Sequence, residues 1–130
     1  MAFGDESPLA WISEHIRKHY QGHRHTFVVA IAGSVAVGKS TLSTLLKERF
    51  EGWPEAPRVE VVSTDGFLYP NRILEERQLM PRKGFPESYR TDDLKAFLHD
   101  VRQGVRGLQV PVYSQAIKDI DEHFHLIDQP

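Results

Sequence analysis

The apolar positions of the chain fall into two alternating periods. From about Pro8 to Tyr20, Leu9, Ile12 and Ile16 recur at helical spacing, with Ser7 as a candidate cap and Pro8 suited to the first helical position. Gln21 to His25 is a polar break that contains Gly22. Thr26 to Ala32 is a short continuous apolar run, the pattern of a strand buried on both faces of a parallel sheet. Lys39 to Phe50 returns to helical period through Leu42, Leu45, Leu46 and Phe50, and Glu51-Gly52-Trp53-Pro54 ends it. Val59 to Ser63 predicts a second strand, out of which Thr64-Asp65-Gly66-Phe67 turns. A short helix is expected over about Arg72 to Gln78, then loop from Pro81 to Tyr89. Thr91 is placed to cap a further helix with Asp92 and Asp93 at its positive end, Leu94, Phe97, Leu98 and Val101 on its buried face, and Gly104 as its stop. Val110 to Tyr113 predicts a third strand, with Pro111 at a strand start or on an edge because it has no N–H to donate. Phe124 to Ile127 predicts a short fourth. Strands alternating with helices argue for an α/β fold with a mostly parallel sheet.

Length and composition narrow the class. At 130 residues the chain suits a single domain. Its 40% hydrophobic and 26% charged residues are those of an ordinary globular protein. A net charge of -2 with no basic run argues against a nucleic-acid binder. The absence of cysteine excludes disulfides, thiolate metal sites and a cysteine nucleophile. No stretch approaches the roughly 18 apolar residues of a membrane span, and Met1 to Pro8 lacks a basic leader region, so a cytoplasmic location is expected.

The strongest chemical signal lies between the first apolar run and the second helix. Gly33-Ser34-Val35-Ala36-Val37-Gly38-Lys39-Ser40, followed by Thr41, meets the pattern of a phosphate-binding loop. Glycines let the backbone N–H groups wrap phosphates, and the helix opening near Lys39 adds its dipole at the same point. Lys39 is expected to reach the β- and γ-phosphates of a nucleoside triphosphate, and the Ser40 hydroxyl to ligate Mg²⁺. A strand before the loop and an amphipathic helix after it supply the context that the motif requires.

Asp65 follows the second predicted strand, where parallel α/β sheets bind their ligands. It is placed to serve as base for an acceptor hydroxyl. Asp65-Gly66 is also a common turn pair, and spacing alone leaves both readings open. Other clusters read as surface. The pairs His23/His25 and His123/His125 share strand faces but lack the third and fourth ligands of a metal site. Asp119, Asp121, Glu122 and Asp128 suit a turn or a solvated face, and Trp11 and Trp53 suit packing.

Taken in order, Gly33 to Ser40, Ser63-Thr-Asp-Gly-Phe-Leu68, Pro70-Asn71, Lys83-Gly-Phe-Pro-Glu-Ser-Tyr89 and Val110-Pro-Val-Tyr-Ser114 resemble the prokaryotic type I pantothenate kinases. The resemblance runs from about the first helix to the last residue. It implies the N-terminal portion of a P-loop kinase domain, a three-layer sandwich left incomplete at its C-terminal end. The implied activity is ATP-dependent phosphorylation of pantothenate to 4'-phosphopantothenate, the first step of coenzyme A biosynthesis. It further implies that Lys39 binds phosphate, Ser40 binds Mg²⁺, Asp65 is the base, Tyr113 contacts pantothenate, and Lys83 lies in a loop near the nucleotide. Homodimerisation and inhibition by coenzyme A belong to the same family picture.

The chain departs from that picture in three ways. Where the family usually has His and Tyr lining the pantothenate and coenzyme A site, this sequence has Gln115 and Lys118. Thr44 replaces an Arg that meets a coenzyme A phosphate. The chain is also much shorter than family members, so a truncated, marginally stable core is expected. These departures weaken the expectation of feedback inhibition and keep two alternatives open: an inactive nucleotide-binding module, and a kinase for another small hydroxyl acceptor such as a nucleoside.

Overall fold

A computed structural model describes residues 8–21, 26–32 and 38–127. Ser7, Gly22 to His25, Gly33 to Val37 and Asp128 therefore lie outside the described residues, and with them one predicted helix cap, one histidine pair and most of the phosphate-binding loop. Internal contacts divide the chain into two compact units, residues 1–61 and 62–130.

The first unit is built on two helices, α1 (Pro8–Tyr20) and α2 (Lys39–Glu51). Both follow the predicted spans. Leu9, Ile12 and Ile16 are half-buried as their spacing requires, whereas Trp11, expected to pack, is 66% exposed and stacks on His15 one turn further on. In α2, Leu46 is buried but Leu45 stays exposed, so the apolar face is narrower than its sequence suggests. Trp53 does pack: its ring lies 4.6 Å from Phe50 and 5.6 Å from Tyr20. Arg17 of α1 donates two hydrogen bonds to the Glu55 carboxylate, at 2.7 and 3.1 Å, the paired geometry that suits a guanidinium.

The second unit carries the longer-range structure. A 3₁₀ turn, Thr64–Phe67, leads to the short helix α3 (Asn71–Glu76), then to two more 3₁₀ turns at Met80–Arg82 and Pro86–Ser88. The helix α4 (Thr91–Arg102) follows, with Asp92 and Asp93 in its first turn. Thr91 is its first helical residue rather than its cap. Arg90 takes the cap position, and no side chain closes that end. The other end closes through the backbone. Gly104, at φ +72°, donates to Val101 O and Val105 to Asp100 O, the paired bonds that terminate helices at a left-handed glycine.

The strands β1 (Leu108–Ser114) and β2 (Asp119–Ile127) form an antiparallel hairpin, pairing from Leu108↔Ile127 to Ser114↔Asp119. The register slips between Pro111 and Tyr113, beside the residue that has no N–H for the ladder. The expected parallel sheet is not seen among the described residues. Among the described residues the only ladder is antiparallel, and the runs 26–32 and 59–63 belong to no strand. An apolar run states that a segment prefers burial. It does not state which strand lies beside it, and a parallel strand exists only through its neighbours.

The core of this unit is Phe67, Val110 and Ile127, with Val62, Leu94, Phe97 and Leu108 packed against it. Phe67, 3% exposed, anchors the turn that carries Asp65, and burial of such a ring stabilises by about 2 kcal/mol. Leu74 of α3 is fully buried. Among the described residues no helix is long and apolar enough to cross a membrane.

Candidate functional site

The segment with the phosphate-binding pattern enters the described residues at Gly38, whose φ of +73° is a left-handed conformation open to glycine. Gly38 caps α2, and its carbonyl accepts from Leu42 N–H at 3.0 Å. The N–H groups of Lys39, Ser40 and Thr41 therefore stand in the first helical turn, where an α-helix supplies no acceptor of its own. That turn contains no acidic residue, so its positive dipole end is left for an anion. Thr44 and Ser43 instead turn their hydroxyls back onto the carbonyls of Ser40 and Lys39. Gly33 to Val37 lie outside the described residues.

In the second unit Asp65 occupies the 3₁₀ turn. Its N–H donates to Ser63 Oγ at 3.2 Å, a cap that fixes the turn locally. Gly66 has no left-handed φ. Its role is close approach: a Cβ there would lie 1.9 Å from Pro111 O, so the turn is pressed onto the backbone of β1. Asp65 and Gly66 do form a turn, as one of their two readings expects, and the Asp65 carboxylate also has a partner. That partner is Tyr89, whose hydroxyl donates to Asp65 Oδ1 at 3.3 Å. Burial, the Asp65 charge and this hydrogen bond together push the Tyr89 hydroxyl above its ordinary pKa, so it stays protonated and able to donate at neutral pH. Asp65 makes no salt bridge among the described residues.

Lys83 was expected near the nucleotide. The structure ties it to the hairpin: its ammonium donates to Asn71 Oδ1 and to the Lys118 carbonyl, both at 2.8 Å, and lies 4.9 Å from the centre of the Tyr113 ring. Asn71 strengthens the same junction, its Nδ2 donating to Lys118 O and its backbone N–H to Asp119 Oδ1. Asp119, expected to be solvated, is thus a structural acceptor. Gln115 is exposed in the turn between β1 and β2, and Lys118 sits there at φ +54°.

Tyr113, Lys83 and Lys118 are therefore brought together, with Gln115 on the same hairpin turn. Tyr89, Asn71 and Arg90 are functional candidates that the periodicity missed. They lie in loops and at helix starts; the motifs Pro70-Asn71 and Lys83 to Tyr89 pointed to the first two, and no signal pointed to Arg90. The described residues contain no group of three or more metal-binding side chains, His123 and His125 included.

No family model matches the chain. It is 49% identical to a pantothenate kinase of Vibrio cholerae over 104 residues, 80% of this chain and 33% of that protein. It is 42% identical to a pantothenate kinase of Brucella ovis over 111 residues, 85% of this chain and 34% of that protein. A crystal structure of a putative fructose transport system kinase from Silicibacter sp. TM1040 superposes with a TM-score of 0.84 at 27% identity, covering 94% of this chain and 58% of that one. The chain spans about a third of the length of the curated relatives it matches. The resemblance carried by the motifs thus extends over most of the chain, which is similar to the pantothenate kinases across the third of their length that it spans.

Proposed function

We propose that the chain carries part of an ATP-dependent kinase that phosphorylates pantothenate at its primary hydroxyl, and that its 130 residues belong to one P-loop kinase domain. The observation that carries this reading is the Asp65 carboxylate, which accepts from the Tyr89 hydroxyl, sits in a turn whose backbone Ser63 caps, and makes no salt bridge among the described residues. A carboxylate held in that way can accept a proton. On this reading one Asp65 oxygen takes the hydroxyl proton of pantothenate. The hydroxyl oxygen bonds to the γ-phosphorus, the bond to the β–γ bridging oxygen breaks, and ADP leaves. Lys39 and the first-turn N–H groups of α2 bind the phosphates. Mg²⁺, when bound, neutralises phosphate charge. The Ser40 hydroxyl, at the start of α2, would hold it together with phosphate and water, as suits an ion that keeps few protein ligands. Tyr113 is the acceptor contact. A cytoplasmic location, homodimerisation and a coenzyme A response come with the family picture.

A second reading keeps the chemistry and changes the acceptor. It is favoured by Gln115 and Lys118, which occupy the hairpin turn in place of the family's His and Tyr. One experiment addresses both: ADP release from Mg-ATP, measured with pantothenate, with a nucleoside and with neither. Pantothenate-dependent release, abolished in Lys39→Ala, is the expected result. Release with the nucleoside alone would move the assignment to the second reading. Binding of Mg-ATP with no acceptor-dependent release would overturn both as activities of these 130 residues, in favour of a nucleotide-binding module.

A further inference from the structure

Tyr89 belongs to no helix or strand, yet its backbone is fastened on both sides to the segment that leaves Asp65. Tyr69 N–H donates to Ser88 O at 2.9 Å, Arg90 N–H donates to Phe67 O at 2.7 Å, and Leu68 and Tyr89 form an antiparallel bridge. The Arg90 guanidinium adds a bond to Gly66 O at 3.2 Å. These contacts surround the turn that carries Asp65, and the Tyr89 side chain reaches from this frame to the carboxylate. We infer that Tyr89 is a positioning residue for phosphoryl transfer: its hydroxyl holds one oxygen of Asp65 and leaves the other to take the acceptor's proton. The inference rests on the reading of Asp65 as the base.

The chemistry favours a phenol in this role. A guanidinium or ammonium would orient the carboxylate equally well, but its charge would stabilise the ionised form and weaken it as a base. A neutral hydroxyl fixes the rotamer while supplying no full positive charge. The distance of 3.3 Å is long for an O–H···O bond, and orienting bonds of this kind tighten when substrate is bound. A carboxylate left free to rotate loses near-attack geometry, which lowers the rate of transfer more than the binding of the acceptor.

Tyr89→Phe preserves the ring and removes the hydroxyl. Its kcat is expected to fall roughly tenfold with the KM for the acceptor and the melting temperature unchanged. An unchanged kcat would overturn the inference. So would a fall in kcat accompanied by a raised KM and a lower melting temperature, which marks a structural role. A second measurement needs no activity. The chain has four tyrosines, and their ionisation is followed by tyrosinate absorbance. In Asp65→Asn one of them is expected to titrate at lower pH than in the parent chain, and this component is absent from Tyr89→Phe. Superimposable titrations of the parent and Asp65→Asn would rule out the contact. A chain inactive with every acceptor would count against the kinase reading, and the titration alone would then decide the Tyr89–Asp65 pairing.

Discussion

Gly66 shows how much one side chain can decide. The sequence pair Asp65-Gly66 looks like a common turn, and Gly66 does not take a left-handed φ in it. What the position demands is space, because Pro111 O would stand 1.9 Å from any Cβ and Pro111 C 2.8 Å from it. Both neighbouring atoms are backbone and have little room to yield. Gly66→Ala is therefore expected to destabilise the second unit by about 3 kcal/mol or more. Urea unfolding checks this, and a midpoint equal to the parent's would refute it. Lys83 teaches the same lesson from the other side. Its ammonium is engaged by Asn71 and the Lys118 carbonyl and lies against Tyr113, partners that its motif does not name. No pattern in the sequence pairs residues 12 and 35 positions apart.

At the scale of elements, the stretch Lys83 to Arg90 was legible as a motif and illegible as a structure. It reads as loop, and it is built as a tight knot around Ser88, a fully buried side chain. The Ser88 hydroxyl accepts from Gly84 N–H at 2.9 Å and donates to Phe85 O at 2.6 Å, while Gly84 takes a φ of +97°. Ser88→Ala would leave the Gly84 N–H without this acceptor, and a loss of roughly 1–3 kcal/mol is expected by thermal or urea unfolding. If the Tyr89–Asp65 contact depends on this knot, the same variant will also lower kcat. The helices were easier. Their spans came within a residue or two of expectation because hydrogen bonds and apolar spacing are both local to the segment. The hairpin was only half legible: Val110 to Tyr113 and Phe124 to Ile127 were marked as strands, but their antiparallel pairing was not.

At the scale of the whole chain, charge pairing sets the response to acid. The hydrogen bond from Arg17 holds the Glu55 carboxyl below its ordinary value of 4.5, and that from Arg82 does the same for Glu87. A carboxyl with a depressed folded-state pKa contributes stability that is complete above its unfolded value and lost as pH falls through the folded one. The melting temperature is therefore expected to hold from neutral pH down to about pH 5, then to fall below about 4.5. Glu55→Gln should flatten part of that fall, by a modest amount since exposed pairs are weak. A pH profile identical to the parent's would remove Glu55 from the account.

The sequence by itself determined what local chemistry determines: the helices, the glycine stop after α4, and the phosphate-binding pattern from Gly33 to Ser40. Each rests on groups within a few positions of one another, so spacing is enough to specify them. Only the tertiary structure decided that β1 and β2 pair antiparallel, that Gly66 meets Pro111, that Lys83 fastens the hairpin turn, and that Tyr89 reaches Asp65. Those contacts join residues from 5 positions apart, at the hairpin turn, to 45 apart, at Gly66 and Pro111, and burying Phe67, Val110 and Ile127 together draws their segments into register.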